Sequence, residues 1–176
     1  RQPLALAAAI VFIVNHSLVK SALLMLAGAL ASRTAVKSAA FSVVTGLGKH
    51  VPAAGILFFI GALALAGIPP TNGFISKFLL FDSGLAGAQW AALAFLALGS
   101  LITFIYTTRA FQRIWWQPPT AEIALKPAGD RLLAPALLIG LVVVLGIWAA
   151  PLVTVAQAAA AWLGRPEQYV QLVLGG

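Results

Sequence analysis

From Leu4 to Ala31 the chain is apolar except for Asn15-His16-Ser17 and the pair Lys20-Ser21. A second apolar stretch, Pro52–Phe81, is interrupted at Pro69-Pro70 and carries Lys77 beyond the break. A third runs from about Ala88 to Tyr106 or slightly further, and a fourth covers Leu132–Ala150. Pro135 falls in the first turn of the fourth, where proline is tolerated. A membrane-crossing helix needs about 20 apolar residues, which each stretch supplies. Continuous apolar runs differ from the short alternating strands of an outer-membrane barrel. Pro151 ends or kinks the fourth run, and residues 152–163, LVTVAQAAAAWL, are too few to span alone. They read as a short interfacial or packed helix. No strong internal repeat is visible. The predicted fold is all-α: residues 1–176 form a single unit, a polytopic helical membrane protein. It has about four transmembrane helices, the second broken at Pro69-Pro70.

Composition supports this pattern. Of 176 residues, 61% are hydrophobic and 9% charged, whereas a soluble domain carries about 25% charged residues. There is no cysteine, so disulfides and thiolate metal sites are excluded. Phosphate loops, zinc motifs, dinucleotide or flavin fingerprints and nucleophile–base pairs are absent, so neither cofactor nor metal is predicted. The net charge of +7 is spread over loops rather than gathered into a basic patch, which argues against a nucleic-acid partner. One loop, Ser32–Val51, carries Arg33, Lys37 and Lys49, and another carries Arg109, Arg113, Lys126 and Arg131. With four spans these two loops share a side, opposite Arg1 and Arg165. The lysine- and arginine-rich side is expected to be cytoplasmic, with both termini of this segment outside, in a bacterial-type inner (cell) membrane. Trp115-Trp116 beside Arg113 read as an aromatic belt at that interface. The chain begins with Arg1 and shows no signal-peptide pattern. It is expected to be the later portion of a longer protein.

Two charges sit where charges are expensive. Lys20 and Lys77 are the only cations inside predicted spans, and a lysine at a helix centre costs about 2.5–3.5 kcal/mol on insertion scales. The four acids, Asp82, Glu122, Asp130 and Glu167, all fall outside the spans. Both lysines must therefore face protein, water or a carboxylate from elsewhere. Burial disfavours an ammonium and eases loss of its proton, so a buried lysine can carry protons. His16 lies four residues before Lys20, on the same helical face, and histidine shuttles protons readily. Ser17, Ser21 and Ser76 add hydroxyls that can hold water. Lys77, Lys20 and His16 are the candidate proton relay. The plainer alternatives are a static ion pair for Lys20 and a carbonyl hydrogen bond for His16.

Pro69 and Pro70 have no N–H, so the carbonyls of Leu65 and Ala66 lose their helical donors. Such groups cannot face lipid; the break must meet protein or a wet cavity. Thr71 or Asn72 is expected to cap a new half-helix holding Lys77. The carbonyl end of such a break attracts cations, and the opposing N-terminus is its positive counterpart. Broken helices recur in ion transporters, although a kink without function is the simpler alternative. Thr103, Tyr106, Thr107 and Thr108 read first as packing residues and second as a polar path. Gly61, Gly67, Gly140 and Gly146 read as close-packing positions.

The segments HSLVKSALLMLAGAL and LALAGIPPTNGFISKFLLF resemble the late transmembrane helices of antiporter-like subunits. That family includes the large subunits of Mrp-type multisubunit cation/proton antiporters, the proton-pumping membrane subunits of respiratory complex I and related subunits of membrane-bound hydrogenases. The resemblance covers about Val14 to Trp116 and rests on a His-x-x-x-Lys element and a Gly-Ile-Pro-Pro…Gly-Phe-x-x-Lys-Phe element. The last third matches in hydropathy only. Within the family the pattern looks most like the D-type Mrp subunit, with the N-type complex I subunit close to it. The resemblance implies a fold of about fourteen helices in two inverted repeats, each with a broken helix. It makes this chain the C-terminal part, from the eleventh helix onward. Lys77 would be the broken-helix lysine that exchanges protons with the outside. His16 and Lys20 would belong to a hydrophilic axis along the membrane plane. Other membrane subunits would be partners, and protons and Na+ the transported ions. The spans hold no carboxylate, so no sodium site is expected within this chain. A proton-conducting antiporter subunit, a pumping subunit of a redox complex and a non-conducting scaffold are the three readings the residues allow.

Overall fold

The computed structural model describes residues 2–119, 126, 129–165, 167 and 173. Arg1 and Glu122 lie outside the described residues. The first apolar stretch forms one unbroken helix, α1 (Gln2–Ser32). Its end is closed by hydroxyls: Ser32 Oγ donates to the Ala29 carbonyl (2.9 Å) and Thr34 Oγ1 to that of Ala31 (2.8 Å). The Ala31 carbonyl takes the Thr34 amide as well (3.0 Å), so the last turn's carbonyls are paired where the helix ladder stops. A short helix α2 (Phe41–Val44) and a 3-10 turn (Leu47–His50) follow. The second apolar stretch is divided, as its prolines require, into α3 (Pro52–Ala66) and α4 (Asn72–Ala86). Then come α5 (Trp90–Phe111), continuing as a π-helical turn (Gln112–Trp116), and the pair α6 (Leu133–Ile147) and α7 (Ala150–Leu163).

α1 is the spine: α3, α4, α6 and α7 all pack on it. Three apolar clusters are strung along its length. Ala7 and Val11 meet Ala156 and Ala160 of α7. Val19 meets Ala64 of α3 and Val142 of α6. Leu26 and Leu30 meet Val44, Leu47, Val51 and Trp115. α5 packs on α3 and α4 and turns Phe95, Leu98, Leu101 and Ile102 outward. Exposed apolar side chains of this size suit a helix whose solvent is lipid.

Among the described residues, two helices, Pro3–Ser32 and Trp90–Trp116, are long and apolar enough to cross a membrane by themselves. The second apolar stretch is divided at Pro69-Pro70 into α3 and α4, and α3 is an apolar helix shorter than a full span. The fourth run departs from its expected form. α6 is 15 residues long and bends by 82° into α7. Pro151 sits at the start of α7, a position where its missing N–H costs nothing, rather than at the end of the preceding helix.

The two basic loops lie together. The Gly46 amide donates to the Arg113 carbonyl (3.0 Å), and that of Lys126 to the Arg33 carbonyl (2.9 Å). The amide of Asp130 donates to Ser32 Oγ (2.9 Å). Trp115 is not a belt residue. Its indole is buried against Gly48 and Gly55, where any Cβ would collide with it. Of the pair, it is Trp116 that faces outward.

Candidate functional site

The break between α3 and α4 decides where Lys77 goes. An α-helix leaves its last four carbonyls without amide donors, which here are those of Leu63, Ala64, Leu65 and Ala66. Gly67 adopts φ 85°, ψ 42°, left-handed backbone that glycine enters without steric cost. The chain then folds back so that the Gly67 amide bonds to the Leu63 carbonyl (2.9 Å) and, less closely, to that of Ala64 (3.2 Å). The Ile68 amide also reaches the Leu63 carbonyl (2.9 Å). Two carbonyls remain, and the residues that would have served them in a continuous helix are Pro69 and Pro70. Lys77 serves them instead. Its Nζ donates to the carbonyls of Leu65 (3.1 Å) and Ala66 (2.7 Å), and to Ser100 Oγ on α5 (2.8 Å). An ammonium has three donors, and all three are matched.

The side chain therefore lies at the carbonyl end of α3, the negative end of that helix's dipole. It reaches there across Gly67, where a Cβ would sit 2.5 Å from Lys77 Cδ. Ser100 is itself fixed, since its hydroxyl donates to the Leu96 carbonyl (2.7 Å) while accepting from Lys77. Replacing Ser100 by Ala is expected to destabilise the protein by about 0.5–1.5 kcal/mol, the worth of one hydrogen bond that water can partly replace. Thermal unfolding of the variant checks this.

Lys77 borders a cavity of about 270 Å3 walled by α1, α5 and the end of α3. His16 and Lys20 line the same cavity, and none of its walls carries Asp or Glu. His16 and Lys20, grouped in the sequence by their spacing on one helix, and Lys77, joined to them by residue type, are thus brought to one space. His16 is held by stacking on Phe12 (ring centroids 5.5 Å apart). Lys20 is exposed in this chain. The static ion pair considered for Lys20 finds no acidic partner on these walls.

Other candidates are placed elsewhere. Ser17 and Ser21 are exposed and off the cavity. Ser76 is fully buried and donates to the Gly73 carbonyl (2.9 Å). Thr71 occupies the N-cap position of α4 without capping it. Its hydroxyl donates backward to the Ile68 carbonyl (2.7 Å), and it makes no bond to an amide of the half-helix. Asn72 does not cap either. It is fully buried and its carboxamide has no hydrogen-bond partner among the described residues. Thr103 and Tyr106 line the cavity, whereas Thr107 and Thr108 face α3.

Glycines set how closely the elements meet around the break. A Cβ on Gly73 would strike the Ala64 carbonyl, and one on Gly146 of α6 the backbone of Pro70, Thr71 and Asn72. Gly61 approaches Leu23 and Ile139, but Gly140 faces open space and packs against nothing.

Sequence reasoning missed Ser100 and passed over Asn15 as a site residue. Ser100 shares a helical face with Thr103 and Thr107, at i, i+3 and i+7. That spacing was the available signal.

Comparison with known proteins gives this geometry a context. The family model described as NADH:quinone oxidoreductase/Mrp antiporter, transmembrane, matches residues 3–103. The chain is 33% identical over 177 residues to the D-type subunit of the Na(+)/H(+) antiporter of Bacillus subtilis (strain 168), covering 98% of this chain and 35% of that protein. It is 33% identical over 168 residues to the N-type subunit of the F(420)H(2) dehydrogenase of Methanosarcina mazei, covering 90% and 34%. It therefore spans about a third of the length of these curated relatives. A solved structure, that of the Mrp complex from Dietzia sp. DQ12-45-1b, contains a chain that superposes with a TM-score of 0.83 at 25% identity, over 98% of this chain and 40% of that one.

Proposed function

The chain belongs to the NADH:quinone oxidoreductase/Mrp antiporter transmembrane family, and from that premise we propose that it is part of a proton-conducting subunit of a multisubunit Na+/H+ antiporter. The subunit works in a bacterial-type cell membrane beside other membrane subunits, with the basic loops on the cytoplasmic side. The observation that carries this reading is the Lys77 Nζ, held on the Leu65 and Ala66 carbonyls and Ser100 at the wall of a cavity shared with His16 and Lys20.

The chemistry follows from counting donors. A protonated lysine fills three acceptors. A neutral amine has two N–H bonds and a lone pair, so releasing a proton leaves one acceptor unpaired and turns the lone pair toward a new donor. Water in the cavity supplies that donor and takes the empty place. Lys77 thus loads and unloads a proton with small movements of its terminal group, while backbone carbonyls hold its position. His16 and Lys20, one helical turn apart, carry the proton onward.

A second reading attaches the same proton path to a redox complex. It is favoured by the equal identity, 33%, to the relative from the F(420)H(2) dehydrogenase. One experiment separates the two. The full-length protein in its native complex is reconstituted into proteoliposomes and given a Na+ gradient without any electron donor. Internal pH is expected to change as Na+ moves. Proton movement that appears only with a reduced donor and a quinone would replace the antiporter reading with the redox one.

A further inference from the structure

Asn15 lies one residue before His16 on α1 and lines the cavity that holds Lys77, His16 and Lys20. It is 3% exposed, and its Oδ1 has no hydrogen-bond partner among the described residues. A buried polar atom without a partner is unusual and expensive. The apolar side chains that line the cavity with it, such as Phe12 and Leu65, offer neither donor nor acceptor. The cavity is the adjoining polar space, with Ser100, Thr103 and Tyr106 hydroxyls on its far walls. At about 270 Å3 it has room for several waters, each of which occupies about 30 Å3 in the liquid. The Oδ1 has almost no accessible surface as the carboxamide stands, but the terminal torsion of asparagine is soft and roughly two-fold, so a turn of the amide presents either end to that space.

We propose that Asn15 is a positioning residue that anchors a bound water between Lys77 and the His16–Lys20 pair. A carboxamide suits this task, because it both donates and accepts and does not ionise in the working pH range. It orients water without capturing the proton that passes. A carboxylate in the same place would pair with the lysines and trap charge. This inference deepens the proton-conducting reading and rests on it only for its effect on transport. The water site itself stands or falls independently.

The test uses the full-length protein in its complex and reads two quantities. Hydroxyl-radical footprinting by X-ray pulses labels side chains beside bound water. In the unaltered protein, Phe12 and Tyr106 are expected to be labelled. In Asn15→Leu, close in size but without hydrogen-bonding groups, that labelling is expected to fall several-fold, while labelling of the outward Trp116 is unchanged. Exchange by the assembled Asn15→Leu protein in proteoliposomes is expected to fall by about tenfold or more, with partial recovery in Asn15→Ser, which keeps a hydroxyl. Unlabelled Phe12 and Tyr106 in the unaltered protein would overturn the proposal, whatever the variants do. So would an assembled Asn15→Leu protein with unchanged labelling and exchange. A Lys77→Ala control distinguishes the failures. If that variant exchanges normally, the transport reading is wrong, and footprinting alone then decides whether Asn15 holds water.

Discussion

A full-length protein carrying Lys77→Ala is expected to assemble with its partner subunits and to show no proton/cation exchange in proteoliposomes. The side chain has two roles, and the substitution removes both. It is the donor for two carbonyls that Pro69 and Pro70 cannot serve, and it is the ionisable group at the cavity wall. Each carbonyl left unpaired costs about 1–3 kcal/mol. Water entering from the cavity offsets part of that, so the loss is expected to lower the melting temperature without preventing assembly. Lys77→Arg separates the roles. A guanidinium keeps several donors and stays charged at all working pH. It is expected to recover much of the stability and none of the exchange. Near-normal exchange by an assembled Lys77→Ala complex would show that the proton takes another route, as the scaffold reading requires.

The second large effect concerns the contact between α6 and the break. Gly146→Ala is expected to destabilise the protein by about 1–3 kcal/mol, the usual range for overpacking. Its new Cβ would meet backbone of Pro70, Thr71 and Asn72, which cannot swing aside as a side chain can. Exchange should fall with stability, because the displaced segment carries the turn on which Lys77 rests. Gly140→Ala, on the same helix, is the matching control. Nothing lies within 4 Å of its would-be Cβ, and alanine is favoured over glycine in a helix by about 0.5–1 kcal/mol. Thermal unfolding of the two solubilised variants should therefore move in opposite directions. Equal destabilisation by both would mean that α6 does not pack on the break as described.

Much of this was legible in the amino-acid order, for reasons that differ by residue. The orphaned carbonyls of Leu65 and Ala66 follow from two adjacent prolines and helical hydrogen-bond spacing alone. Local covalent geometry dictates them, and any fold must answer them. That Lys77 would be the answer was less visible. The side chain reverses direction across Gly67, and the expected capping by Thr71 or Asn72 gives no hint of this, since neither residue caps α4. Grouping His16 with Lys20 needed only the four-residue period of one helix. Adding Ser100 required knowing that α5 crosses beside the break, a tertiary fact that periodicity does not carry. The same limit applies to Trp115, assigned to an interface by its neighbours yet drawn inward by two glycines, Gly48 and Gly55. It applies also to α7, whose 82° turn from α6 cannot be told from a proline stop in the sequence. Gly140 and Gly146 look alike on paper, and only packing separates them.

The most direct test of the central claim, that the Lys77 side chain takes the place of the two missing prolyl N–H groups, is the position of its nitrogen. Solid-state magnetic resonance on the full-length protein in bilayers can detect through-space couplings from a 15N-labelled Lys77 Nζ to 13C-labelled carbonyls. The geometry, with Nζ at 3.1 Å from the Leu65 oxygen and 2.7 Å from that of Ala66, predicts couplings to both carbonyl carbons. Those couplings should weaken when the group loses its proton. An Nζ coupled to a side-chain carboxylate, with no contact to Leu65 or Ala66, would contradict it.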